Sequence, residues 1–264
     1  MSKNVVIFDI AMPYKTLSKT KARELHGLSR KKERDESGLF IAEGDKCVRA
    51  MLHAFEPEYI ICNEDWIARN DELSEKYSDV IFLSDKRNIE IISSFTSLPD
   101  VISVFKKPQS GDVIPLLDKN RLYLLLDDIQ DPGNLGTIIR TCDWFGVYDI
   151  FASENTVDVY SPKVVQSTMG SLARVKVHYC SLERLINNNK DTRVIGTLLS
   201  GTPLNKVENI KSGALIMGNE GRGISEELKK HIDIPLTIPP VNMHNHPDSL
   251  NVSIATAIIL SHLT

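Results

Sequence analysis

Apolar and polar positions give the two parts of this 264-residue chain different textures. From residue 121 onward, short unbroken apolar runs alternate with longer amphipathic stretches. "RLYLLLDDI" (121–129) has no polar alternation, the pattern of a strand covered on both faces. After it the spacing predicts a helix over about 135–145, a strand "VYDIFAS", a helix around "SPKVVQSTMGSLARV" and a strand "VKVHYC". A helix "SLERLINN", strands "RVIGTLL" and "GALIMGN", a helix "SEELKKHI", a strand "IPLTIP" and a helix "SLNVSIATAIILSHL" complete it. Such alternation predicts a parallel α/β sheet with helices on both sides.

The earlier part reads as a smaller α/β unit. "LSKTKARELHGLSR" predicts a basic helix with Leu17, Leu25 and Leu28 on a loose stripe, followed by a strand "GLFIAEG", a helix "DKCVRAMLHAF" and a strand "EPEYIIC". Strands "DVIFLS" and "VISVFK" flank a helical "DKRNIEIISSF". "KKPQSGDVIPLLDKN", with two prolines and a glycine, is the linker candidate. The expected division is an N-terminal extension over 1–16, a small domain over 17–106, a linker over 107–120 and the parallel-sheet domain over 121–264.

Composition narrows the class. At 42% hydrophobic and 25% charged residues the chain belongs with folded globular proteins. Its longest apolar runs fall short of a membrane span, and "MSKNVVIFDIAMPYK" is not built like a leader. Cys47, Cys62, Cys142 and Cys180 lie far apart, which fits reduced thiols in a cytoplasmic protein rather than zinc or disulfides. A net charge of −4 does not suggest a nucleic-acid binder. Between Lys15 and Arg34, however, eight cations face only Glu24 and Glu33. Such a run is either a solvated helix face or a phosphate footprint.

Ligands of parallel sheets bind beyond the carboxyl ends of the strands. Three segments in that position are unlike plain connectors. In "DPGNLGTIIR", Pro132-Gly133 makes a turn, Asn134 is placed to cap a helix from Leu135, and Gly136 permits close approach one turn before Arg140. In "MGNEGRGIS", three glycines surround Asn219 and Glu220, with Ser225 as a helix cap. That spacing matches neither a dinucleotide fingerprint nor a P-loop. In "IPPVNMHNHPDSLNVS", Ser249 and Asn251 flank Leu250 at a helix start. His244, Asn245, His246 and Asp248 do not form a common ligand framework, so no metal is expected.

Together, "NLGTIIRTCDWFG", "IMGNEGRGIS" and "IP…SLNVSIATAI" closely resemble the motifs of the SpoU (TrmH-type) RNA 2′-O-ribose methyltransferases, over essentially all of 118–264. "SRKKERDESGLFIAEGDKCVRAML" also looks like the L30e-like substrate-binding domain that many members carry. The resemblance implies a SPOUT fold whose sheet is threaded into a deep trefoil knot, a homodimer, and S-adenosylmethionine as methyl donor. It places Asn134, Arg140, Glu220, Ser249 and Asn251 in the catalytic site. It places Thr197, Leu198, Gly218, Asn219, Ile238 and Leu250, with Leu199 alongside, at the methyl donor. Lys15, Lys19, Lys21, Arg30, Lys31, Lys32 and Arg34 become the expected RNA contacts. One departure is the loop Pro240–Asp248, longer than the family's and without glycine.

The implied reaction is attack of a ribose 2′-hydroxyl on an activated methyl group. Arg140 is expected to clamp the neighbouring phosphate, because a guanidinium does not give up its proton. Ser249 and Asn251 are expected to orient the ribose, and Glu220 to hold Arg140 or its loop. The alternatives are a non-catalytic RNA-binding protein of the same fold and a base methyltransferase.

Overall fold

A computed structural model describes residues 14–108, 115–207, 210–241 and 247–264. The first domain runs β1 (Lys15–Thr16), α1 (Lys19–His26), α2 (Lys31–Ser37), β2 (Leu39–Glu43), α3 (Asp45–Met51), β3 (Pro57–Cys62), α4 (Glu64–Arg69), α5 (Asp71–Lys76), β4 (Ile81–Leu83), α6 (Lys86–Ile92) and β5 (Val101–Lys106). Its five-stranded sheet has the order β1-β4-β3-β5-β2, with β5 antiparallel to both neighbours. Lys15 and Thr16, expected in an extension, pair with Phe82 and Leu83 and so belong to this sheet. The single basic helix expected over 17–30 is instead α1 and a 3-10 turn at Gly27–Ser29; α2 follows it and ends at Gly38 with φ of +68°.

The second domain runs β6 (Leu122–Leu126), α7 (Pro132–Trp144), β7 (Asp149–Ala152), α8 (Pro162–Ser167), β8 (Lys176–Tyr179), α9 (Leu182–Asn188), β9 (Val194–Pro203), β10 (Gly213–Met217), α10 (Glu226–Lys229), β11 (Ile234–Thr237) and α11 (Val252–Leu263). Its six strands are ordered β11-β9-β10-β6-β7-β8, and every pair is parallel, as the sequence pattern predicts. One face (Leu124, Leu126, Ile150, Leu215) packs on α7 and α11, the other (Leu125, Phe151, Val194, Ile216) on α9 and α10. The helix expected over 161–175 breaks after α8, because Met169 and Gly170 take φ of +51° and +93°.

Two observations fix the domains to each other. Phe40, Phe105 and Met51 share one buried cluster with Val164 and Val165 of α8, and the Phe40 and Tyr160 rings lie 4.8 Å apart. Arg34 crosses the seam: Nε and Nη2 donate to Asp158 Oδ2 at 3.0 and 2.6 Å, and Nη1 donates to the carbonyls of Leu28 and Ser29 at 2.9 Å. Among the described residues no helix is long and apolar enough to cross a membrane. Burial pushes the Cys47 thiol up to about 11 and that of Cys62 up to about 12, so both are inert core groups.

Candidate active site

Adjacent parallel strands bring their following loops together. β10 lies beside β6 in register from Gly213–Leu122 to Met217–Leu126, so both strands release the chain at the same level. The two loops are then stitched. Asp127 Oδ2 accepts from Ser225 N at 2.7 Å, Asn219 Nδ2 donates to the Asp128 carbonyl at 2.7 Å, and Arg222 pairs with Asp128. Asn219 Oδ1 also accepts from Gly221 N and Arg222 N at 3.0 Å, so that side chain shapes its own turn. At Gly218 an added Cβ would lie 2.2 Å from Gly223 C and Ile224 N. Its missing side chain serves the folding-back of this loop.

α7 begins earlier than the spacing predicts. Its cap is Asp131, whose Oδ1 accepts from Asn134 N at 2.8 Å, and Pro132 occupies the first turn. The Asp-Pro pair is a readable start signal, since proline suits the first helical position, where no N–H is required. Asn134 is therefore not the cap, and its side chain is left for another task. Gly136 serves helix packing: a Cβ there would stand 2.3 Å from Ser167 Cβ of α8.

Asn134 Nδ2 donates to Glu220 Oε1 at 3.0 Å, and Asn134 Oδ1 accepts from Asn251 Nδ2 at 2.8 Å. Asn251 Oδ1 caps α11, accepting from Ser253 N at 2.9 Å, Ser253 Oγ at 2.6 Å and Ile254 N at 3.3 Å. Both amide orientations are dictated by the ends of this chain. A carboxylate only accepts, and a helix N-terminus only donates, so each amide has one arrangement that satisfies both neighbours. Glu220 also accepts from Gln130 N at 3.3 Å and Asp131 N at 3.2 Å. Burial alone would raise its carboxyl, but the hydrogen bonds from Asn134 and these backbone amides outweigh that and hold it below the usual range.

Of the two roles expected for Glu220, the contacts are those to the loop: it holds Asn134 and the α7 entry, and among the described residues it forms no ion pair with Arg140. Of the two residues flanking Leu250, Asn251 rather than Ser249 caps the helix, with Ser253 as a partner that spacing did not single out. Ser249 and Leu250 are both exposed beside this cap. Arg140 is also exposed, and among the described residues it has no hydrogen-bond or ion-pair partner.

The third strand end is irregular. Register between β11 and β9 jumps from Pro235–Gly196 to Leu236–Thr202, so Thr197–Gly201 stand out of the ladder as an excursion. Thr197 Oγ1 ties its base to the Ile216 carbonyl at 3.1 Å, and the Leu199 carbonyl accepts from Thr237 Oγ1 at 3.2 Å. Leu198 and Ile238 are half-buried, whereas Leu199 is 82% and Leu250 49% exposed. His244, Asn245 and His246 lie outside the described residues; among those described, no cluster suits a metal ion.

Residues 121–261 match the SpoU rRNA Methylase family, and residues 19–102 match the MRM3-like substrate binding domain. The chain belongs to the SpoU rRNA methylase family. It is 29% identical to the 23S rRNA (guanosine(2553)-2′-O)-methyltransferase RlmP of Bacillus subtilis (strain 168), over 92% of this chain and 95% of that one. A TrmH-family structure from Porphyromonas gingivalis is 32% identical, with a TM-score of 0.79 over 94% of this chain and 98% of its own. The AdoMet-bound rRNA methyltransferase of Sinorhizobium meliloti is 27% identical, with a TM-score of 0.82 over 94% and 95% of the two chains.

In this SpoU-family chain the basic run at the N-terminus does not act as one surface. Lys21 pairs with Glu24 at 2.8 Å, Arg30 with Glu33 at 3.0 Å and Lys32 with Glu36 at 3.7 Å. Arg34, expected to meet RNA, is buried at 2% exposure and committed to Asp158, so its fork is unavailable to a phosphate. Lys15, Lys19 and Lys31 are exposed without carboxylate partners among the described residues.

Proposed function

We infer that this chain methylates the 2′-hydroxyl of an RNA ribose, with S-adenosylmethionine as methyl donor, and works as a homodimer in the cytoplasm. The observation that carries the reading is the chain Glu220–Asn134–Asn251, which joins the three motif loops at one end of a parallel sheet. The relatives named above extend it to ribosomal RNA, and 23S rRNA is the first substrate to assay.

The residues present suit the donor. Thr197 and Leu198 in the irregular middle of β9, Gly218 and Asn219 after β10, Ile238 after β11, and Leu250 before the cap of α11 would hold it. Exposed Leu199, on backbone that has left the ladder, and exposed Leu250 would offer apolar surface to a flat ring. S-adenosylmethionine supplies a methyl group already activated on a sulfonium centre. The chain's own residues then orient the ribose and its phosphate.

Each amide of Asn134 and Asn251 has one N–H committed to its neighbour and a second left over. Those spare donors, with the exposed Ser249 hydroxyl, would position the ribose oxygens. Arg140 stays protonated and binds the adjacent phosphate, which makes the hydroxyl proton easier to lose to a phosphate oxygen or water.

Arg140 also motivates the dimer. Six residues separate it from Asn134, which on an α-helix is roughly 9 Å of rise and about 120° of rotation. It shares the exposed side of α7 with Thr137 and with Trp144, which is 85% exposed. Neighbouring α11 exposes Ile254 and Ile258. An apolar face of this kind calls for a partner, and a second copy seated there would set Arg140 toward the other copy's ribose site. The knot implied by the family belongs to the same proposal. It is supported by α11 returning to pack on α7 after β11 has taken the far edge of the sheet.

The test is methyl transfer from radiolabelled S-adenosylmethionine to 23S rRNA and to tRNA, followed by nuclease digestion. A 2′-O-methylated nucleoside is expected, whereas a methylated base or no label refutes the reading. Arg140→Ala is expected to abolish transfer while donor binding persists.

A further inference from the structure

We propose that Asp128 is a positioning residue for methyl transfer: its carboxylate locks the loop after β6 onto the loop after β10, and so fixes where Glu220 meets Asn134. The proposal rests on the methyl-transfer function inferred above and gives a role to a residue that lies outside the three motifs.

The backbone singles the position out. Asp128 takes φ of +61°, and among the described residues only Met169 shares the positive-φ region without being a glycine. Glycine enters that region at no steric cost, whereas a side chain is crowded there, although aspartate tolerates it better than most. A turn alone would be served by glycine, so the carboxylate is the reason to look further. Both of its oxygens are occupied: Oδ1 accepts from Gln130 Nε2 and Oδ2 from Arg222 Nη2. The main chain is held as well, since Asp128 N donates to Ser153 Oγ at 2.9 Å and its carbonyl accepts from Asn219 Nδ2 at 2.7 Å. One residue thus touches the loops that follow β6, β7 and β10.

Ties between the first and third of these loops run in both directions. Asp128 sends its carboxylate to Arg222, two residues beyond Glu220. Glu220 sends its own to Gln130 N at 3.3 Å and Asp131 N at 3.2 Å, two and three residues beyond Asp128. Each carboxylate therefore closes on the loop that carries the other. Opening the Asp128 end leaves Glu220 free to shift, and Asn134 and Asn251 follow it through their shared hydrogen bonds. The donor-binding turn does not depend on that carboxylate. Asn219 grips the main-chain carbonyl of Asp128 and folds back on the Gly221 and Arg222 amides, contacts that survive loss of the Asp128 side chain. Removing the carboxylate should misplace the ribose contacts while the methyl donor still binds.

The experiment uses the full chain with a bacterial 23S rRNA transcript and S-adenosylmethionine, and reads kcat, KM for RNA, donor Kd and thermal midpoint. Asp128→Gly keeps the turn and removes the carboxylate; Asp128→Asn keeps the turn and one acceptor oxygen. Asp128→Gly is expected to lower kcat by about tenfold to a hundredfold, with KM, donor Kd and thermal midpoint near wild type. Asp128→Asn is expected to recover part of the rate. Arg222→Gln should show a loss of the same order, and adding it to Asp128→Gly should cost little more, the non-additivity of two groups that act as one. An unchanged kcat in Asp128→Gly, a rate loss matched by weaker donor binding or a lower thermal midpoint, or full additivity with Arg222→Gln overturns the proposal. If wild type transfers no methyl group, the functional reading fails, and hydrogen exchange at the Gln130 and Asp131 amides, expected to quicken in Asp128→Gly, decides the clamp by itself.

Discussion

Asn251 Nδ2 donates to Asn134 Oδ1 across 2.8 Å, joining residues 117 apart in sequence. The bond ties the first helix of the second domain to the cap of the last, and Glu220 anchors its other end. Polar side chains satisfied in series hold one another in a single arrangement, so a small change at one member displaces the rest.

Asn251→Asp separates capping from linkage. A carboxylate still caps α11, so thermal stability is expected to stay within about 1 kcal/mol of wild type. It has no N–H for Asn134, and methyl transfer is expected to fall by about a hundredfold through misplacement of the ribose contacts. Asn251→Ala is expected to lose both properties. Thermal melts beside single-turnover kinetics distinguish the two variants.

Glu220 sets a pH dependence. Its folded carboxyl lies below the ordinary range, so it adds stability that is complete above the unfolded value and disappears as pH falls through the folded one. Denaturant titrations between about pH 5 and pH 3 should show a steeper loss of stability in wild type than in Glu220→Gln. Parallel curves would mean that the carboxylate is not held as described.

Arg34→Met leaves Asp158 buried without its partner. A loss of about 3–5 kcal/mol is expected, seen as a lower denaturant midpoint. Arg34→Met with Asp158→Leu should regain part of that loss, because no charge is then orphaned while the Leu28 and Ser29 carbonyls still lack a donor. Arg34→Lys should not regain it, since one ammonium cannot also serve the Leu28 and Ser29 carbonyls.

Gly136→Ala pushes a methyl group into α8 and is expected to cost about 1–3 kcal/mol. Gly218→Ala meets backbone rather than side chain, so the loop carrying Glu220 cannot close as it does here. Donor binding, followed by calorimetry, is expected to drop sharply for Gly218→Ala and little for Gly136→Ala.

Sedimentation velocity tests the proposed dimer: wild type is expected to run as a dimer, and Ile254→Asp with Ile258→Asp as a monomer. Circular dichroism should be unchanged, because both side chains are exposed in the single chain. Methyl transfer should disappear with the dimer.

Strands buried on both faces, such as Leu122–Leu126 and Gly213–Met217, were legible because continuous apolar runs leave few alternatives. The three motif loops were legible as turn chemistry at strand ends. Which donor meets which acceptor was not. Asn134 and Asp131 are both good caps by type, and only the start of α7 at Pro132 decides between them. The Lys15–Arg34 run shows the same limit from the electrostatic side. Counting charges reveals a basic segment, but which guanidinium turns inward depends on Asp158, 124 residues away from Arg34.

The Arg34–Asp158 contact has a consequence for anyone building chimeras from this chain. A foreign recognition module grafted ahead of residue 107 would have to bring its own inward-facing cation, or the catalytic half would inherit a stranded aspartate. Module and engine are therefore expected to be exchangeable only as a matched set.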